Sequence, residues 1–132
     1  MVNLAKRRGR LLLIDDEMMV RVMLQDVLES FGYVVDAADS GEAALELFRA
    51  GCYQAVITDL AMPGMNGLEA AARLRQLDRT VPIILLTGSA GGSVVHEARR
   101  AGAGVIVVYK PVSLIGLKAA LEVAHGPVSL GA

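Results

Sequence analysis

Short unbroken aliphatic runs, separated by longer stretches of helical period, constrain this chain more than any other feature. Leu11–Ile14, Ala55–Ile57, Ile83–Leu86 and Val105–Val108 are continuous and apolar, with several β-branched positions. A strand with one wet face alternates in polarity, whereas a strand buried on both faces does not. These runs therefore predict strands of a parallel sheet covered by helices on both sides. Tyr33–Ala37 is a fifth, weaker run, and its Asp36 places it nearer the sheet edge.

The intervening segments read as helices. Val20, Met23, Leu24, Val27, Leu28 and Phe31 share one helical face that Gly32 stops, and Met18 and Met19 join its packing. Ser40 caps a second helix with Glu42 in its first turn, running to about Arg49. A third begins at Asn66 or Gly67 and ends near Leu77, and a fourth spans Ser93–Ala101 before Gly102. The last covers Ser113–Ala124, with Leu114, Leu117, Ala120, Leu121 and Ala124 inward. Strands alternating with helices in this way predict an α/β domain with right-handed crossovers. The expected domain is residues 10–125, between a flexible N-terminal tail at 1–9 and a C-terminal tail at 126–132.

A chain of 132 residues fits one domain and leaves no room for a second. The net charge of −1 gives no pull towards nucleic acid or anionic membrane, so neither partner is expected. The basic cluster Lys6-Arg7-Arg8 with Arg10 reads as a solvated end. Cys52 is the single cysteine, which excludes an internal disulfide and fits a reducing cytosol; beside Gly51 and Tyr53 it reads as a small packing residue. The Leu11–Ile14 run is too short for a signal peptide and Asp15-Asp16-Glu17 ends it, so a cytoplasmic protein is expected. His96 and His125 stand alone and read as surface residues.

In a doubly wound sheet, ligands bind beyond the carboxyl ends of the strands. The buried runs end in Asp15-Asp16-Glu17, Thr58-Asp59, Thr87-Gly88-Ser89 and Lys110-Pro111. Asp15, Asp16 and Asp59 converge if the first and third strands are neighbours. Two bare carboxylates ~4 Å apart repel by roughly 4 kcal/mol at an effective dielectric of about 20, so such a cluster calls for a cation. An all-oxygen site that shares its ion with phosphate suits Mg²⁺. Either acid alone also suits a cap, Asp16 on the first helix or Asp59 on a loop; Thr87 and Lys110 beside them favour the ion site. Thr87 offers a hydroxyl donor to an oxyanion, and Lys110 a mobile positive charge.

These residues resemble the CheY-like receiver domain of two-component response regulators, over roughly residues 10–125. The matching pieces are Leu13-Ile14-Asp15-Asp16-Glu17, Ser40-Gly41-Glu42-Ala43-Ala44-Leu45, the segment Asp59-Leu60-Ala61-Met62-Pro63-Gly64-Met65-Asn66-Gly67-Leu68-Glu69, then Leu86-Thr87-Gly88 and Lys110-Pro111. The resemblance implies a flavodoxin-like (βα)5 sandwich with a parallel sheet of order 2-1-3-4-5. It implies Asp59 as phosphoacceptor, Mg²⁺ held by Asp16, Asp59 and the carbonyl of Ala61, and Asp15 acting through water. Thr87 and Lys110 would contact the phosphoryl group, and the Lys110–Pro111 peptide would be cis. The donor would be a sensor histidine kinase or a histidine phosphotransfer protein. The product would hydrolyse slowly, which makes the domain a signalling phosphoacceptor more than an enzyme. A homodimer through the fourth helix, fifth strand and fifth helix is the family's usual pairing.

Some positions depart from the pattern. Val107 stands where the family carries an aromatic residue, and Tyr109 shares its strand face and is a candidate substitute. The Gly102–Lys110 interval looks about one residue longer than the family's usual pattern. A pseudo-receiver, the same fold used as a phosphorylation-independent interaction or dimerisation module, is the alternative. A dehalogenase-type phosphohydrolase would need an acid two residues after Asp59, where Ala61 stands. Pathway, output and context (stand-alone, or part of a hybrid kinase or larger regulator) are not legible.

Overall fold

The protein is described here by a computed structural model covering residues 9–88 and 104–125. Strands β1 (Gly9–Ile14), β2 (Tyr33–Ala38) and β3 (Ala55–Asp59) are followed by helices α1 (Met18–Ser30), α2 (Gly41–Leu47) and α3 (Gly67–Leu77) in turn. Then come β4 (Ile83–Thr87), β5 (Val105–Tyr109) and α4 (Leu114–His125). The strands form one parallel sheet of order β2-β1-β3-β4-β5, as the resemblance implies. The helix expected at Ser93–Ala101 lies outside the described residues, with Ser89, His96 and Gly102.

Continuous apolar runs are buried because each face of the sheet has its own helical cover. Leu11, Leu13, Ile57, Ile84 and Leu86 point to one face, against Leu24 and Leu28 of α1 and Leu117 and Leu121 of α4. Leu12, Ile14, Val56, Ile83 and Leu85 point to the other, against Ala44, Phe48, Ala71 and Leu74. Each fully buried Leu or Ile contributes about 1.5–3 kcal/mol, so the inner strands form a stiff floor beneath whatever their ends carry. The edge strands differ: Asp36 does lie on edge strand β2, and Val105–Val108 on edge strand β5 are half-buried, not enclosed.

Several expectations from periodicity are corrected. Met18, Met19 and Met23 are exposed, because only Leu24 and Leu28 of α1 reach the deep core. Leu114 is exposed in the first turn of α4, and Cys52 is exposed in the loop before β3. Helix α2 stops at Leu47 because Phe48 turns extended and stacks on Tyr53, ring centroids 5.6 Å apart. His125 is partnered: the Tyr33 hydroxyl lies 2.5 Å from its Nε2, and the Gln54 amide lies 3.0 Å from its Nδ1. Among the described residues, no helix is long and apolar enough to cross a membrane.

On the outer edge of β2, Asp36 accepts from the Tyr53 hydroxyl at 2.7 Å and pairs with Arg10 at 3.1 Å. Burial, then the hydrogen bond to Asp36, pushes the Tyr53 phenol from 10.0 up to about 12. A phenol whose folded value is raised adds stability that is whole below pH 10.0 and lost as pH rises towards about 12. Ultraviolet titration of tyrosinate should show Tyr53 ionising late, and Asp36→Asn should move it back towards the ordinary value.

Candidate functional site

The parallel register brings the strand ends together. Ile14 pairs with Thr58 across β1 and β3, so Asp15 and Asp59, one residue on in each strand, reach the same level. The carboxylates of Asp15, Asp16 and Asp59 each offer an oxygen within 4.8 Å of the others. Asp15 and Asp59 are buried, whereas Asp16 is exposed. Helix α1 takes Glu17 as its N-cap with no side-chain hydrogen bond, so Asp16 is not the cap of that helix.

Asp59 continues β3 opposite Leu86, and Thr87 lies one residue beyond on β4, buried. Thr87 in turn pairs with Tyr109 of β5, and its carbonyl accepts the Lys110 N–H at 2.8 Å. That register delivers Lys110 to the acids: its Nζ stands 2.8 Å from Asp59 Oδ1. The Lys110–Pro111 peptide is cis. Tyr109 is exposed at the end of β5, and Val107 packs on the α2–α3 side of the sheet. Ala61 lies exposed in the loop after β3.

That loop is held by main-chain contacts. Gly67 N–H donates to the Leu60 carbonyl at 2.9 Å, and the Asn66–Glu69 capping box starts α3 at the same point. A Cβ on Gly67 would overlap the Asp59 carbonyl oxygen and come within 2.8 Å of Leu60 Cα.

Electrostatically, the site is short of positive charge. Burial, opposed by the hydrogen bond from the Glu17 N–H, leaves the Asp15 carboxyl above the ordinary carboxylate range; Asp59 and Asp16 push it further up and Lys110 pulls it down. Burial works against the Lys110 ammonium, yet its hydrogen bond to Asp59 and the nearby acids hold it above the ordinary lysine range. Asp15 Oδ2 is buried with no hydrogen-bond partner, and the buried Asp59 Oδ1 meets the Lys110 ammonium. An unpartnered anionic oxygen among three carboxylates fits a small hard cation, which commonly takes one or two carboxylates and keeps several waters.

Arg21, which carries no sequence signal beyond its place one turn into α1, also reaches this edge. Its Nη1 donates to the Asp15 carbonyl at 2.8 Å.

Comparison with known proteins agrees with this geometry. A family model described as response regulator receiver domain matches residues 11–122. The transcriptional regulatory protein PdtaR of Mycobacterium tuberculosis is 36% identical over 116 residues, covering 87% of this chain and 56% of that protein. The virulence sensor protein BvgS of Bordetella bronchiseptica is 34% identical over 127 residues, covering 92% of this chain and 10% of that protein. The chain thus spans about half of one relative and a tenth of the other. A response regulator receiver domain protein from Clostridium thermocellum superposes with a TM-score of 0.84 at 27% identity, over 94% of this chain and 99% of that one. Chemotaxis protein CheY4 of Vibrio cholerae gives 0.79 at 27%, over 88% and 98%.

Two substitutions test the site's construction. Asp15→Asn keeps an oxygen for the Glu17 N–H and removes a buried like charge, so in chelator it should raise the melting temperature, by about 1 kcal/mol of stability. Gly67→Ala forces the Asp59 loop to shift and should cost about 1–3 kcal/mol in denaturant unfolding.

Proposed function

The chain belongs to the response regulator receiver domain family, and from that membership we propose that it is a phosphorylation-controlled switch whose acceptor is Asp59. The observation that carries this reading is the buried Asp59 carboxylate, held 2.8 Å from Lys110 within a cluster of three acids.

Phosphoryl transfer asks a protein for positioning and charge neutralisation more than for covalent chemistry. An Asp59 oxygen attacks phosphorus in line, and the phosphorus–nitrogen bond to a phosphohistidine breaks, returning the imidazole to its own protein. Lys110 stays at hand to pair with the incoming phosphoryl oxygens, and the Thr87 hydroxyl donates a hydrogen bond to them. Asp16, Asp59 and the Ala61 carbonyl would hold Mg²⁺, with Asp15 acting through water, and the ion would supply the charge that lets an anion approach three acids. Hydrolysis of the acyl phosphate resets the switch. With no polar side chain at Ala61, the site would give water ready access.

The donor is a sensor histidine kinase or a histidine phosphotransfer protein. A homodimer would use β5, α4 and the neighbouring segment that lies outside the described residues. Output belongs to a partner or to a larger protein, as the two relatives' greater lengths suggest.

Intact-mass analysis of the chain with Mg²⁺ and acetyl phosphate should give a single phosphoryl adduct, abolished by chelator and by Asp59→Asn. Failure to form the adduct, together with failure to bind beryllofluoride, would favour a phosphorylation-independent interaction module.

A further inference from the structure

We propose that Arg21 is a positioning residue for the acidic edge: by fastening the peptide that joins Asp15 to Asp16, it fixes where the Asp16 carboxylate stands for cation binding. The inference rests on reading the three acids as a Mg²⁺ site.

Asp15 is held on three sides. Its N–H donates to the Ala38 carbonyl at 3.1 Å, its Oδ1 accepts from the Glu17 N–H at 2.9 Å, and its carbonyl accepts from Arg21 Nη1 at 2.8 Å. The first bond ties the residue to β2 and the second shapes the turn into α1. Only the third acts on the carbonyl, and so on the plane of the Asp15–Asp16 peptide. Asp16 is exposed, so packing does not orient its carboxylate. Its position therefore follows from the backbone that carries it.

The reach is built into the helix. Side chains on an α-helix lean towards its N-terminus, so a long residue one turn in covers the chain that enters. Arg21 N–H donates to the Glu17 carbonyl at 2.9 Å, which sets it in that first turn, and its half-buried side chain runs back over the turn to the end of β1. The planar fork of arginine gives up less freedom per hydrogen bond than a lysine would.

Two effects of Arg21 on a cation oppose each other, and that makes the idea decidable. As a positive charge beside an acidic cluster, it repels a second cation and weakens binding. As a clasp, it prepares the ligand geometry and strengthens binding. Removing it weakens Mg²⁺ binding only if the clasp dominates.

The test is calorimetric titration of the full chain with Mg²⁺, for wild type, Arg21→Met and Arg21→Lys. Methionine keeps much of the apolar stem and loses donors and charge; lysine keeps one donor and the charge. Melting in chelator fixes a temperature at which each variant is folded, and Arg21→Gln replaces a methionine variant that is not. Arg21→Met should bind Mg²⁺ on the order of tenfold more weakly, the usual effect of removing a group that orients a metal ligand. Arg21→Lys should recover most of the loss. The Mg²⁺ concentration for half-maximal phosphorylation by acetyl phosphate should rise in parallel, with the rate at saturating Mg²⁺ largely kept. Equal or tighter Mg²⁺ binding by Arg21→Met overturns the proposal, even if that variant melts earlier. Failure of the wild type to bind Mg²⁺ refutes the ion-site reading itself, and the role of Arg21 falls with it.

Discussion

Three carboxylates share one end of the sheet, and most of the local construction follows from holding them there. Left to themselves, acids this close would separate or take up protons. Separation is prevented because Asp15 and Asp59 stand at the ends of two adjacent strands that are buried from Leu11 to Ile14 and from Ala55 to Asp59. Lys110 offsets part of the repulsion at 2.8 Å from Asp59. A buried, unpartnered oxygen on Asp15 shows that the protein supplies less than the cluster requires. That deficit is what supports reading the three acids as a cation site.

The rigid and adaptable parts are segregated accordingly. β1, β3 and β4 are enclosed on both faces and register the acids and Thr87 to within one residue of each other along the strands. The lysine, by contrast, leaves from β5, an edge strand whose residues are only half-buried. The loop after Asp59 is held by a main-chain hydrogen bond and a close approach that excludes a Cβ at Gly67. Asp59 thus sits on an enclosed inner strand, and Lys110 at the end of a half-buried edge strand.

The relatives place the same unit in different surroundings. This chain corresponds to about half of a transcriptional regulatory protein and to a tenth of a virulence sensor protein. A receiver that serves in such different contexts carries its chemistry in the strand ends, while the consequence of that chemistry lies in whatever is attached or docked.

Much of this was legible in the residues alone. Continuous aliphatic runs announce strands covered on both faces, because alternation disappears when neither face meets water. Asp15, Asp16, Asp59, Thr87 and Lys110 stood out since each follows such a run, where a polar residue is at the sheet's edge by necessity. Periodicity, however, records which residues share a face and not how far along the element the neighbour extends. That is why Met18, Met19, Met23 and Leu114 were expected inside and lie outside. Nor does sequence record which strand pairs with which at what register, and the distance from Lys110 to Asp59 depends on that. His125 meeting Tyr33 and Gln54 is the same case: residues far apart in the chain become partners only when the last helix packs back across the sheet. The sequence by itself determined the elements and the chemistry at their ends, through local pattern. The tertiary structure decided which ends meet and how strongly, because charges and hydrogen bonds act over a few ångströms of space and not along the chain.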